Sequence, residues 1–396
     1  MDERLTPDTS LPADGLKGTL VGRAETAAGP SVVAIREDGV FDLSPLTPTM
    51  TDLLEADDPA GLAQSEGKKL GDFAEVLTNS AHDRRDPAKP HFLAPVDLQA
   101  IKAAGVTFAR SMLERVIEEQ ARGDAAKADA IRQTINEVIG SDLSQIVPGS
   151  EAAMRLKAHL IEQGAWSQYL EVGIGPDAEV FTKAPPMSAV GTGALIGIRR
   201  DSTWNNPEPE LVIAVDSQGR IKGATLGNDV NLRDFEGRSA LLLGKSKDNN
   251  ASTSLGPFIR LLDETLTLDQ LRKTTIRLRV EGEEDGFVLD GESSLSEISR
   301  DVEDLAGQTL SKHHQYPDGF VLFTGTMFAP IEDRDRPGEG FTHKPGDLVT
   351  IACPELGTLT NRITYCDQAP PWTFGTTALM KNLATRRLLA GATGAG

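Results

Sequence analysis

The chain is predicted to be an α+β protein with a β-rich main domain and a smaller N-terminal one, and three observations predict it. At 396 residues a single compact core gives way to two domains. A charged, proline-broken stretch, His82-Asp-Arg-Arg-Asp-Pro-Ala-Lys-Pro-His91, has the composition of a linker and divides the chain into 1–91 and 92–396. From Trp166 onward, short apolar runs alternate with Gly, Pro, Asn and Asp, which is the texture of strands and turns.

Before the linker, Ser31-Val-Val-Ala-Ile-Arg36 reads as a strand and Thr51-Asp-Leu-Leu-Glu55 as a helix. Beyond it, residues 109–139 are rich in Ala, Glu, Arg, Gln and Lys with apolar residues at helical intervals, and Gly123 divides them into two helices. Another helix is predicted over 152–163. Strands follow at Glu210-Leu-Val-Ile-Ala-Val215, Thr275-Ile-Arg-Leu-Arg-Val280, Phe320-Val-Leu-Phe-Thr324 and Asp347-Leu-Val-Thr-Ile-Ala352, and the tail from Leu389 reads as frayed.

Composition narrows the function. A formal net charge of −19 argues against binding nucleic acid or an anionic membrane, since both require a basic face. No window is apolar for long enough to span a bilayer, and the N-terminus lacks a basic run followed by an apolar stretch, so a cytoplasmic protein is expected. Cys353 and Cys366 have neither a second pair nor a neighbouring His, which supports reduced thiols over a disulfide or zinc knuckle. The glycine pairs lack the strand-loop-helix setting of a phosphate cradle, and Trp166, Trp204 and Trp372 are too dispersed to stack bases.

The most informative stretch is Trp204-Asn-Asn-Pro-Glu208-Pro-Glu210, leading into the apolar run that ends at Val215. In an extended chain residues i and i+2 share a face, so Glu208 and Glu210 project together. Pro207 and Pro209 lack amide hydrogens, which places the pair at a strand entrance or edge. Two like charges so placed face water or a cation. A turn at Ser217-Gln-Gly-Arg220 and a returning strand would bring Asp229 beside them. Three carboxylates without His or Cys favour Mg²⁺, Mn²⁺ or Ca²⁺ over zinc.

These residues carry a resemblance. The Glu-x-Glu pair, Asn228-Asp-Val-Asn-Leu-Arg-Asp234, Gly244-Lys-Ser-Lys-Asp248, Leu255-Gly-Pro-Phe258 and Phe323-Thr-Gly-Thr326 occur in the order used by the fumarylacetoacetate hydrolase superfamily, over about residues 93–380. Tyr169-Leu-Glu-Val-Gly-Ile-Gly-Pro-Asp-Ala-Glu179 and Gln315-Tyr-Pro-Asp-Gly319 resemble the branch that dehydrates 2-keto-3-deoxypentonates. The resemblance implies a mixed β-roll catalytic domain, a divalent metal on Glu208, Glu210 and Asp229, and a homodimer or homotetramer. It matches Lys245 to the active-site lysine, with Lys247 two residues away as the alternative, and Thr326 to the residue that holds the substrate carboxylate. Met327 stands where many relatives have Pro.

A small 2-keto acid substrate bound through its carboxylate and C2 carbonyl to a cation has an acidic C3, and a hydroxyl at C4 can then leave as water. Acid and base must reach C3 and the C4 oxygen. Lys245 and Glu179 are the expected pair, with Glu171 as the alternative to Glu179. Thr107, Arg110, Ser111 and Arg115 lie where a lid helix begins and could hold the substrate carboxylate or hydroxyls, although each arginine could instead pair with a helix glutamate. The competing reaction, hydrolysis of a carbon–carbon bond in a 2,4-diketo acid, resembles the superfamily's naming chemistry and uses a His that activates water. No His lies between His91 and His159, where that residue is expected. Both readings compete with a scaffold that keeps the fold without turnover.

Overall fold

The computed structural model describes residues 4–108, 146–162, 166–328, 332–337 and 340–389, with the single positions 112, 116, 117, 119, 121, 122, 124 and 330. The predicted strands form, at Gly29–Arg36, Pro209–Val215, Thr275–Glu281, Phe320–Phe323 and Leu348–Cys353. The helix predicted over 152–163 spans Glu151–Glu162, and most of 109–139 lies outside the described residues. The helix at Met50–Glu55 is closed by a capping box, in which Thr49 Oγ1 accepts from the Asp52 amide at 3.0 Å and Asp52 Oδ2 from the Thr49 amide at 3.1 Å. A C-terminal helix, Thr376–Thr385, was not anticipated.

Among the described residues the strands make two large mixed sheets and a two-stranded ribbon of Asn205–Asn206 with Asn231–Leu232, the arrangement expected of an α+β chain. An eleven-stranded sheet is ordered Lys68–Gly71, Gly39–Asp42, Gly29–Arg36, Leu20–Thr26, Thr253–Leu261, Ile221–Asp229, Pro209–Val215, Phe320–Phe323, Ala100–Gly105 and Glu179–Ala184, with His91–Leu93 beside Leu20–Thr26. A five-stranded sheet is ordered Val288–Ser294, Thr275–Glu281, Leu348–Cys353, Gly357–Tyr365 and Leu195–Ile198. Phe320–Phe323 pairs in parallel with Ala100–Gly105, and Gly357–Tyr365 with Leu195–Ile198; the other pairings are antiparallel.

The central strand Pro209–Val215 shows why its run is apolar without alternation. Leu211, Ile213 and Val215 enter one core, shared with Ile276, Leu278 and Ile351 of the second sheet. Val212 and Ala214 enter another, shared with Val21, Val32, Met50 and Leu54 of the N-terminal segment. A strand covered on both faces needs apolar residues at every position.

The first 91 residues are joined to the rest by continuous pairing, Leu20 with Arg260 and Val21 with Ile259. The stretch expected to be a linker is pinned: Asn79 Nδ2 donates to the carbonyls of Asp86, Lys89 and Pro90 at 3.0–3.1 Å, and the His82 amide donates to Gly193.

Candidate active site

The Pro209–Val215 and Ile221–Asp229 strands pair with Pro209 opposite Asn228 and Glu210 opposite Gly227. The turn between them closes as expected, with the Asp216 amide donating to the Arg220 carbonyl. At the open end the Asp229 amide donates to the Glu208 carbonyl at 3.0 Å, and the Glu208 amide to Asn228 Oδ1 at 3.1 Å. Pro207 and Pro209 thus sit where the ladder begins and their missing amides leave nothing unpaired. This backbone frame brings Glu208, Glu210 and Asp229 together, 3%, 2% and 1% exposed, with one carboxylate oxygen of each within 4.8 Å of the others.

Two buried lysines adjoin them. Lys247 Nζ lies 2.5 Å from Glu208 Oε2 and 3.2 Å from Asp229 Oδ2, and Lys183 Nζ lies 2.9 Å from Asp229 Oδ1. Three carboxylates against two ammonium groups leave one negative charge uncompensated in a buried place. Burial, reinforced by Asp229 and Glu208, holds the Glu210 carboxyl well above the usual carboxylate range, and burial pulls the Lys183 ammonium below its ordinary value. Asp229 Oδ1 has the Lys183 ammonium as its partner, at 2.9 Å. The same ammonium also donates to the carbonyls of Val230, at 3.3 Å, and Lys247. Three crowded buried carboxylates, one of them held toward its neutral form for want of a counter-charge, make an all-oxygen donor set that suits a hard divalent cation.

The lysine at the site stands two residues beyond the one expected. In the helix Leu243–Lys247, Lys245 is exposed, with Nζ 5.6 Å from the centre of the Phe235 ring, whereas Lys247 is buried against the carboxylates. The reason is local. Ser246 Oγ donates to Asn231 Oδ1 at 2.8 Å and accepts the Leu232 amide at 3.2 Å, while Ser252 Oγ donates to the Lys247 carbonyl at 2.9 Å. These bonds turn positions 246 and 247 inward and leave 245 in solvent. Lys183 was not anticipated either. The Ala100–Gly105 and Glu179–Ala184 ladder passes from Ile101 opposite Ala184 to Lys102 opposite Thr182, so the register slips at Lys183. Such irregularities re-aim a side chain.

The remaining expected residues gather at the same end of the sheet, with differences. Gly325, at φ 89°, donates its amide to Glu210 Oε2 at 2.6 Å, so the Thr-Gly-Thr loop is held to the carboxylates. Thr326 is buried, and its Oγ1 accepts the Phe328 amide at 3.1 Å, leaving the hydroxyl hydrogen for another acceptor. Thr107 is fully buried and donates to the Thr324 carbonyl at 2.7 Å; the structure gives it the place of a loop anchor in place of the expected substrate donor. Glu179 opens its strand opposite Gly105, and its carboxylate occupies the space that a side chain at 105 would need. Glu171, its alternative, pairs with Lys157 on the helices Gln168–Ile174 and Glu151–Glu162. Arg110, Ser111 and Arg115, and with them most of the expected lid, lie outside the described residues.

The histidines take other places. His313 and His314 are exposed on a turn. His343 is buried, with Nδ1 3.0 Å from Asp347 Oδ2; Arg334 holds the same carboxylate at 2.6 and 2.7 Å.

A family match and three likenesses to individual proteins agree with this geometry. The family described as "Fumarylacetoacetate (FAA) hydrolase C-terminal" matches residues 153–364. The chain is 30% identical over 335 residues to a probable 2-keto-3-deoxyxylonate dehydratase of Haloferax volcanii, covering 84% of this chain and 95% of that protein. It is 35% identical over 181 residues to 2-dehydro-3-deoxy-D-arabinonate dehydratase of Saccharolobus solfataricus, covering 46% of this chain and 57% of that one. Among solved structures, 2-keto-3-deoxy-D-arabinonate dehydratase complexed with magnesium and 2,5-dioxopentanoate shares the fold with a TM-score of 0.61 at 22% identity, covering 87% of this chain and 99% of that one.

Proposed function

The chain belongs to the fumarylacetoacetate hydrolase family, and we propose that within it the protein dehydrates a 2-keto-3-deoxypentonate, of the D-xylonate or D-arabinonate series, to 2,5-dioxopentanoate, also called 2-oxoglutarate semialdehyde. The observation that carries the chemistry is the buried cluster of Glu208, Glu210 and Asp229 with Lys247 against it. The two curated relatives, both dehydratases of this substrate class, support the choice of reaction.

A divalent cation held by the three carboxylates, Mg²⁺ first with Mn²⁺ or Ca²⁺ as alternatives, supplies charge neutralisation for a bound 2-oxo acid and makes its C3 protons acidic. This chain's own groups do the rest. Lys247 Nζ, in contact with Glu208 and Asp229, is assigned removal of the C3 proton as the neutral amine, the form that a cation on those carboxylates would favour over the ammonium. Glu179, at the same end of the sheet, is assigned delivery of a proton to the C4 hydroxyl. The C3–H and C4–O bonds break, a C3–C4 double bond forms and water departs with the C4 oxygen. Proton shifts then convert the C5 alcohol into the aldehyde. Thr326 is assigned the substrate carboxylate, through the hydroxyl hydrogen left over after its oxygen accepts from Phe328. Lys183 holds Asp229 and the Lys247 carbonyl in place and is a positioning residue.

Elimination needs no activated water. That favours dehydration over cleavage of a 2,4-diketo acid, since His313 and His314 stand exposed and His343 is committed to Asp347. The wider reading is a cytoplasmic homodimer or homotetramer. Among the described residues no helix is long and apolar enough to cross a membrane, and Trp372, Met380 and Leu389 expose apolar surface near the C-terminus. The deciding assay incubates the purified protein with each 2-keto-3-deoxypentonate and Mg²⁺. Formation of 2,5-dioxopentanoate, lost on chelation and restored by Mg²⁺, is expected. Pyruvate release from a 2,4-diketo acid without dehydration would replace this reading with hydrolysis, and neither reaction would leave a scaffold.

A further inference from the structure

Independently of that reaction, the strand Leu20–Thr26, the segment 187–190 and the turn 370–374 enclose a second cavity of about 240 Å³. Arg23 and Glu25 both line it, and being two apart on a strand they leave by the same face.

Neither has its valences met. The Arg23 side chain is 6% exposed. Its Nη1 donates to the Val96 carbonyl at 2.6 Å, but Nη2 has only the Met187 thioether, at 3.9 Å. The nearest carboxylate, Asp97 at 3.9 Å from Nε, is already held by the amides of Met50 and Leu98 at 2.7 Å each. Glu25 is half-buried, and its carboxylate makes no hydrogen bond among the described residues and feels only the general field of Arg23 and Arg386. Arg386 is itself committed, donating to the Pro30 carbonyl and Ser31 Oγ at 2.7 and 2.9 Å.

The rest of the lining is mostly apolar, with Trp372 and Phe374 as its aromatic wall. Two non-glycine residues that line it, Met187 and Ala251, hold left-handed backbones at φ 72° and 59°, and such strain collects at functional sites.

Opposite charges on one face, a guanidinium nitrogen with only a thioether partner and a carboxylate without a hydrogen bond, both lining one apolar-walled cavity, form the complement of a small zwitterion. We propose that this cavity binds a free α-amino acid with an apolar side chain, its carboxylate on Arg23 Nη2, its ammonium on Glu25 and its side chain against Trp372 and Phe374. A simple anion would meet Glu25 and a simple cation would meet Arg23, so a ligand with one charge leaves a repulsive contact in place. The volume is below that of drug-sized pockets and suits a ligand of one residue.

The test is calorimetric titration of the full chain loaded with Mg²⁺. L-leucine and L-phenylalanine are compared with 3-phenylpropionate, which lacks the ammonium, and 2-phenylethylamine, which lacks the carboxylate. Saturable binding of at least one amino acid is expected, with the single-charge analogues weaker by about tenfold or more. Arg23 is too buried to be a safe probe of folding, so Glu25→Gln and Trp372→Ala are the variants. Each should weaken amino-acid binding by about tenfold or more while leaving dehydration unchanged. No binding at millimolar amino acid, equal binding of the single-charge analogues, or undiminished binding in both variants overturns the proposal.

Discussion

Glu210→Gln separates what the carboxylate cluster does for chemistry from what it does to stability. The three ligand oxygens lie within 4.8 Å of one another. At that spacing, with an effective dielectric constant of about 20, each like-charged pair repels by about 3.5 kcal/mol. Two such pairs act on Glu210, and the attraction of Lys247 offsets about one of them, leaving roughly 3 kcal/mol of strain in the metal-free protein. Gln keeps an oxygen for the Gly325 amide and forgoes the charge assistance of that bond, a loss of about 1 kcal/mol. At a pH high enough to ionise Glu210, the metal-free variant should therefore be more stable than the parent by about 1–3 kcal/mol in urea unfolding with EDTA.

The pH dependence has a definite sign. A carboxyl raised in the folded state binds its proton more tightly there than in the unfolded chain, so the parent's stability is present at low pH and declines as pH rises above the ordinary carboxylate range. The advantage of the variant should grow with pH and shrink toward acid. Saturating Mg²⁺ should reverse the order, because the cation stabilises the protein that binds it better, and turnover should be lost. A metal-free variant less stable than the parent at alkaline pH would refute the picture of three crowded charges.

Lys247→Ala should lower kcat by about 10²-fold or more while Lys245→Ala leaves it nearly unchanged; the reverse result would restore the exposed lysine to the site. Lys183→Met removes one partner of a buried pair and should cost about 3–5 kcal/mol in metal-free urea unfolding, with a smaller loss when Mg²⁺ neutralises Asp229; equal losses with and without metal would place Lys183 outside the metal's field. Gly105→Ala puts a methyl where the Glu179 carboxylate now lies, so kcat should fall by about 10²-fold with the fold retained by circular dichroism; unchanged kcat would remove Glu179 from the reaction.

How far the site could be read from the chain depended on how each residue is positioned. Glu208, Glu210 and Asp229 were legible because their convergence is a property of one hairpin: period-two alternation aligns the first two, and a short turn returns the third. The two-sided burial of Pro209–Val215 left its mark as an unbroken apolar run. The pairing of Leu20–Thr26 with Thr253–Leu261 left none, since its register depends on contacts between residues more than two hundred apart, and a pinned loop at 82–91 has the same composition as a free linker. The lysines fall between these cases. Positions 245 and 247 differ by about 200° around a helix, so only one faces the carboxylates, and the choice rests with Ser246 on Asn231 and Ser252 on the Lys247 carbonyl, contacts between separate segments. Lys183 depends on a slip in register, which regular alternation does not encode. Acid residues that share a hairpin can thus be found by pattern, whereas the amines that work with them are set by neighbouring segments. A search of related chains for the hairpin alone should find the metal-binding members, and only the Asn231–Ser246 and Lys247–Ser252 contacts should sort the lysine that faces the metal from the one in water.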